Sequence, residues 1–174
     1  MKRILSYNEL IEIANNEPNY FFQIFKNYVN AIINKKIIAV NKNNKYIYIY
    51  KDKSSNYLTK LLSVKYDPKL NVEIFIDRLI DYITCSMSCF VFTMYHIFYI
   101  YKNKIINIDD SNIYKVLIVT LLLSIKFLED KPMSIKKYSF YVGITSREIA
   151  FIERQLLKEF DYNINIDNTY CFLF

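Results

Sequence analysis

An apolar run from Val116 to Ile125 constrains the fold of this chain more than any other feature. Its residues, Val-Leu-Ile-Val-Thr-Leu-Leu-Leu-Ser-Ile, would make a helix that is apolar on nearly every face. Even when it is extended to Leu128, the run is shorter than the ~20 residues that a membrane span requires. A helix of this kind needs neighbours on all sides, so we predict that it is the central helix of an all-α domain.

Signals for further helices lie on both sides of the central one. N-cap residues precede three predicted helices. Asn71 precedes a helix that runs to about Thr84, and Ser86 or Ser88 precedes one that runs to Lys102. Asp110 or Ser111 precedes the central helix, which runs to Glu129. A short fourth helix, from Ser134 to Tyr141, should end at Gly143, because glycine adopts left-handed backbone angles at little cost.

A capping box marks the start of a fifth helix. In this motif the Thr145 hydroxyl and the Glu148 carboxylate each accept a hydrogen bond from a backbone amide at the start of the helix. The apolar residues that follow recur every three or four positions and predict one buried face: Ile149, Ile152, Leu156 and Phe160. We expect that face to pack on the central helix.

The first part of the chain is less regular. Helical spacing is present over residues 7–14 and 20–34, whereas residues 41–56 mix a polar low-complexity stretch with a strand-like run. Pro68 then disfavours helical geometry in the residue before it. Two parts are therefore predicted: an N-terminal helical extension over residues 1–70, with an irregular, hairpin-like insertion near 35–60, and a five-helix domain over residues 71–174.

Composition and motifs argue against several functional classes. The cysteines number three, an odd count without metal-ligand spacing, which fits a reducing intracellular compartment and predicts neither a disulfide framework nor a metal site. The N-terminus reaches Glu9 too early for a secretory signal, so we do not expect export. The sequence has no nucleophile elbow, zinc-binding His-Glu motif or glycine-rich phosphate loop, and we therefore predict neither enzyme activity nor a cofactor.

Charged residues and the histidine give weak functional signals. The net charge is +6, but it is scattered, and the pairs Lys35-Lys36 and Lys136-Lys137 are too short to mark a nucleic-acid groove. Nucleic acid is therefore not an expected partner. His96, the single histidine, lies in an apolar run and is predicted to be a hydrogen-bonded core residue rather than a base or a ligand.

Five segments between residues 71 and 164 carry a resemblance to a known family. They are Phe75 to Tyr82, Cys89 to Met94, Leu123 to Asp130, Tyr141 to Thr145 and Ile152 to Tyr162. In this order they resemble the five-helix cyclin box, most closely that of the single-box P-type or U-type cyclins. The third segment is the clearest, being similar to Ala-Ala-Lys-Phe-Leu-Asp-Asp at the end of the family's third helix. The last is similar to Leu-Glu-x-x-Phe-Leu-x-x-Leu-Asp-Phe in its fifth.

The resemblance implies that the chain is a regulatory subunit that binds and activates a cyclin-dependent-kinase-like protein kinase. In cyclins the residues that match Lys126 and Glu153 form a pair that hydrogen-bonds the backbone near the kinase's mobile catalytic-lobe helix. Four further matches give the apolar surface on which that helix packs: Phe127, Leu157, Phe160 and Tyr162. Because Phe160 also lies on the predicted buried face, Leu157 and Tyr162 are the stronger candidates. A third subunit is a further option, and the location would be nuclear or cytoplasmic.

The chain departs from the family at two places that bear on function. Phe98 and Tyr99 stand where many cyclins carry Asp-Arg in the second helix. Arg78 therefore lacks its expected buried partner and must be satisfied by Asp77, by Asp81 or by solvent. In addition, no Trp completes the substrate-docking motif of mitotic cyclins, which aligns with residues 72–76.

Two alternative functions use the same fold. One is a cyclin-fold scaffold that binds a kinase without activating it, which these departures would allow. The other is a transcription-related binding module whose basic charge serves DNA, although such proteins carry two repeats. Without the resemblance, Lys126 and Glu153 would be an ordinary surface pair, worth ~0 to 1 kcal/mol.

Overall fold

Eight helices and three short strands make up the part of the chain that the computed structural model describes, which comprises residues 4–34, 39–41, 57–63, 70–165 and 170–173. The helices are α1 (Tyr7–Asn16), α2 (Pro18–Ile33), α3 (Tyr57–Leu62), α4 (Val72–Tyr82), α5 (Met87–Lys102), α6 (Ile113–Leu128), α7 (Ile135–Val142) and α8 (Ser146–Glu159). The strands are β1 (Ile4–Leu5), β2 (Ala39–Asn41) and β3 (Tyr170–Leu173). Most of the predicted insertion near 35–60, including its hairpin-like run, lies outside the described residues.

The central helix of the fold is α6, as its apolar run predicts. Every residue from Val116 to Ile125 is buried, and α5 packs along the helix while α3, α4 and α8 contact it as well. The two hydroxyls of the run bond within the helix, since Thr120 Oγ1 donates to the Val116 carbonyl at 2.7 Å and Ser124 Oγ to the Thr120 carbonyl at 2.9 Å. The predicted all-α fold is confirmed.

Local capping signals set three of the predicted helix ends. The Asn71 side chain accepts from the Glu73 amide at 2.8 Å at the start of α4, and the Ser134 hydroxyl accepts from the Lys137 amide at 3.3 Å at the start of α7. Helix α7 ends at Gly143, whose φ of 68° lies in the left-handed region that a side chain disfavours. These three predicted ends are confirmed.

The start of α6 differs from its prediction. Asn112 is the N-cap residue, rather than Asp110 or Ser111. The reason is a tight turn ahead of the helix, in which the Asp109 carboxylate accepts from both the amide and the hydroxyl of Ser111 at 2.9 and 2.6 Å.

The start of α8 matches its prediction only in part. The Thr145 hydroxyl accepts from the Glu148 amide at 3.2 Å, as a capping box requires. The Glu148 carboxylate, however, lies 2.8 Å from the ammonium of Lys115 on α6. The side chain that sequence reasoning assigned to local capping therefore joins the two helices instead.

The N-terminal helices pack on the five helices from α4 to α8. Both α1 and α2 contact α5, and the Tyr28 hydroxyl of α2 donates to the Met94 carbonyl at 2.7 Å. Lys26 lies 2.5 Å from Asp77 on α4. These contacts make α2 part of one hydrophobic core with α4, α5, α6 and α8.

A strand near the C-terminus closes the same side of the fold. Strand β3 pairs antiparallel with β1 and with β2, so the order of the sheet is β1-β3-β2. Phe172 of β3 is fully buried, and its ring centroid lies 4.7 Å from that of Tyr95, 5.1 Å from Tyr28 and 5.6 Å from Phe98. The strand therefore ties the N-terminus to α2 and α5.

Candidate functional site

An ion pair joins the end of α6 to the middle of α8. The ammonium of Lys126 lies 2.6 Å from Glu153 Oε1 and 2.8 Å from Oε2. The lysine side chain is 40% exposed, whereas the glutamate side chain is 10% exposed. The pair is thus anchored in the protein on its acidic side and open to solvent on its basic side.

The predicted apolar residues differ in how deeply they are buried. Phe127 and Tyr162 are exposed at 45% and 66%, and Leu157 is half-buried. Phe160 is buried at 3%, with its ring 5.1 Å from Tyr99 in an edge-to-face arrangement. Phe160 is therefore part of the core, whereas Phe127, which directly follows Lys126 in the chain, and Tyr162, which lies just beyond the end of α8, are exposed.

The turn after α8 holds Tyr162 away from the core. Asp161 and Tyr162 both have left-handed backbone angles, with φ of 49° and 57°. The Tyr162 amide donates to the Leu157 carbonyl at 2.8 Å, and the Asp161 amide donates to the Lys158 carbonyl at 3.0 Å. Since such angles cost a non-glycine residue of order 1–3 kcal/mol, strain is stored where the chain presents an exposed aromatic side chain.

Two residues that sequence reasoning missed also support the end of α6. The ring of Phe92, on α5, lies 5.7 Å from that of Phe127. Glu129 accepts from the Ser86 amide at 2.8 Å, so it caps α5 at a residue whose own hydroxyl makes no cap bond. This backbone bond, with bonds from the side chains of Ser86 and Cys89, lowers the pKa of Glu129 below its ordinary value. No local sequence pattern predicts that a carboxylate will cap a different helix.

A second aromatic surface lies where α4 meets α7. The rings of Tyr82 and Tyr141 are stacked 5.5 Å apart, and Phe140 beside them is 82% exposed. A cavity of about 240 Å³ opens next to these rings and is lined by Arg78 and Phe75 among others. Arg78 is itself exposed, so of the three options for its charge the solvent-facing one is observed.

His96 is a core residue, as predicted. It is 4% exposed, with Nδ1 3.2 Å from Ser124 Oγ and Nε2 3.1 Å from the Ile164 carbonyl. Burial lowers the pKa of the imidazole from its ordinary 6.5. Among the described residues no group of His, Cys, Asp and Glu side chains could hold a metal ion.

His96 should make the stability of the chain depend on pH. Below pH 6.5 the unfolded chain binds a proton that the folded chain does not, so stability is fully present above this pH and falls below it. We expect the wild type to lose about 1 kcal/mol more unfolding free energy than His96→Gln between about pH 7.5 and about pH 5.5. Urea denaturation of both chains at the two pH values measures the difference. Equal losses of unfolding free energy would contradict the assignment of His96 as a buried histidine with a lowered pKa.

Comparisons with known proteins find similar sequences in one family. A family model described as Cyclin matches residues 15–164. Cyclin-U4-2 of Arabidopsis thaliana is 28% identical over 109 residues, which cover 60% of this chain and 50% of that protein. Cyclin-P3-1 of Oryza sativa subsp. japonica is 24% identical over 108 residues, which cover 60% of this chain and 46% of that protein. The chain thus spans about half the length of the relatives it matches.

None of the described helices is both long and apolar enough to cross a membrane.

Proposed function

The chain belongs to the cyclin family, and we propose on that basis that it binds a cyclin-dependent-kinase-like protein kinase and switches it on. The observation that carries the proposal is the ion pair of Lys126 and Glu153, together with the exposed rings of Phe127, the next residue in the chain, and Tyr162, in the turn after α8. This surface is the kinase-binding surface of the proposal. The proposal places the chain in the nucleus or the cytoplasm.

The ion pair supplies polar recognition. An ammonium has three N–H donors, and the carboxylate of Glu153 engages Lys126 through both of its oxygens. Because Glu153 is nearly buried, it fixes the lysine, whose exposed part can donate to a backbone carbonyl of the partner. A lysine that is already held loses less conformational entropy on binding than a free one.

The aromatic side chains supply apolar contact. Phe127 and Tyr162 are large exposed rings, and aromatic side chains are enriched at protein interfaces. A kinase helix that packs on them is held in the position where its glutamate meets the lysine of the third strand. The chain then acts by positioning the kinase's groups, and the chemistry belongs to the kinase.

Affinity purification tests the proposal. We expect the wild-type chain to bring down a cyclin-dependent-kinase-like kinase that phosphorylates a substrate, and the variant Lys126→Ala/Glu153→Ala to bind it ~10- to 100-fold more weakly. Removing both charges leaves neither one unpaired, so the variant should still fold. Phe140→Ala, which changes an exposed ring on the other surface, is the matched control and should bind like the wild type.

The outcomes separate the alternatives. A kinase that co-purifies in an inactive state indicates a scaffold rather than an activator. Equal binding by wild type and variant indicates a contact elsewhere on the fold. If the wild type brings down no such kinase, the proposed function is wrong and only the fold stands.

A further inference from the structure

One buried ring lies directly beneath the kinase-binding surface. Phe92, in the middle of α5, is 8% exposed, and the centroid of its ring is 5.7 Å from that of Phe127 at an interplanar angle of 38°. Phe127 itself is 45% exposed. The exposed ring therefore rests on the buried one.

Phe92 is held in turn from α1. The ring of Tyr7 lies 6.1 Å from Phe92 in an edge-to-face arrangement and 5.6 Å from Tyr95, one turn further along α5. Tyr7 is the first residue of α1, whose start is fixed by a capping box between Ser6 and Glu9. Tyr7, Phe92 and Phe127 thus form one row of rings from the N-terminal helix to the end of α6.

This row restricts the exposed ring before any partner arrives. A solvent-exposed aromatic side chain can occupy several rotamers, and a partner must select one of them. Contact with a buried ring restricts this choice, because the rotamers that would overlap the ring of Phe92 are excluded. Ordering a side chain on binding typically weakens affinity by roughly three- to tenfold, which pre-ordering avoids.

We infer that Phe92 is a positioning residue for the kinase-binding surface: it holds the ring of Phe127 in the orientation in which that ring meets the kinase. The inference rests on the proposed function, and it adds Phe92 to the six residues that the resemblance assigns to kinase binding. Phe92 does not touch the kinase, and its effect on binding passes through Phe127.

A fluorescence measurement tests the positioning without a kinase. The chain has no Trp, so Phe127→Trp introduces a single reporter at the exposed position. We expect Phe92→Leu in this background to raise acrylamide quenching of the tryptophan about twofold, because the ring beneath it is gone. Phe98→Leu is the matched control: Phe98 is 2% exposed on the same helix, but its ring contacts Phe172 and Tyr170. It should leave quenching unchanged.

A double-mutant cycle then tests binding to the co-purified kinase. We expect Phe92→Leu to weaken binding by roughly three- to tenfold in the wild-type chain, and to have no further effect when Phe127→Ala is already present. Phe92→Met, which keeps an apolar side chain of similar volume but removes the ring, should behave in the same way and guards against a folding defect. Circular dichroism of each variant confirms that it is folded.

Each result decides the inference. Unchanged quenching, or an equal loss of affinity with and without Phe127, overturns it. A wild-type chain that binds no such kinase overturns the proposed function and the role of Phe92 in binding with it. In that case the quenching comparison still reports whether Phe92 orients residue 127, so the two failures are distinguishable.

Discussion

A chain that carries Glu153→Lys is expected to bind the kinase ~1000-fold more weakly than the wild type, and the exchange of both charges, Lys126→Glu with Glu153→Lys, should not restore binding. The exchanged chain keeps an ion pair between α6 and α8. It presents that pair to the kinase with donor and acceptor reversed, however, so a backbone carbonyl would meet a carboxylate. The double exchange therefore separates recognition of the kinase from the ion pair that joins α6 to α8.

The ranking of these variants by unfolding free energy should differ from their ranking by affinity for the kinase. Glu153→Lys alone places two ammonium groups where an ammonium now meets a carboxylate at 2.6 Å, and we expect it to cost about 3 kcal/mol. The estimate is at the low end for a buried pair because Lys126 is 40% exposed and solvent screens it. The exchange of both residues should recover most of this loss, which urea denaturation measures.

The other ion pair between α6 and α8 offers a matched control. Lys115 lies 2.8 Å from Glu148, near the start of both helices and away from Phe127 and Tyr162 in sequence. Exchanging these two charges should leave the dissociation constant for the kinase within twofold of the wild-type value. If the Lys126/Glu153 exchange also binds like the wild type, that pair only fastens two helices, and its place in the proposed surface is wrong.

The local parts of this fold could be predicted because the information lies in neighbouring residues. Asn71, Ser134 and Gly143 each act on a backbone within a few positions, and the helix ends that they predict are confirmed. The central helix was predictable for a similar reason, since a run that is apolar on every face has only one place in a fold. His96 is buried as its apolar surroundings indicate.

The parts that were missed depend on residues far apart in the chain. Glu148 pairs with Lys115 and Glu129 caps α5 across the fold, and neither partner follows from spacing. Spacing does not reveal the pairing of Lys126 with Glu153 either; only the resemblance to cyclins brought these two residues together. A kinase-binding role for this pair and the residues around it stays a prediction until a complex is measured.

Phe172 makes the clearest example of long-range contacts that the sequence patterns did not predict. It sits near the end of the chain, is fully buried, and packs against Tyr28 of α2 and Tyr95 of α5. Because β3 pairs with both β1 and β2, the same strand holds two otherwise separate backbone segments. Its side chain is therefore the anchor of a sheet as well as part of the core.

Replacing this anchor should destabilise the whole chain. We expect Phe172→Ala to lower the unfolding free energy by about 4 kcal/mol, from lost transfer energy and the cavity left behind, and to lower the melting temperature by about 10 °C. Phe140→Ala removes the same atoms from a ring that is 82% exposed, so it should change the melting temperature by no more than about 2 °C. Thermal unfolding followed by circular dichroism compares the two. A similar small shift in both would mean that α2 and α5 close without β3, and the strand would then cover the core without stabilising it.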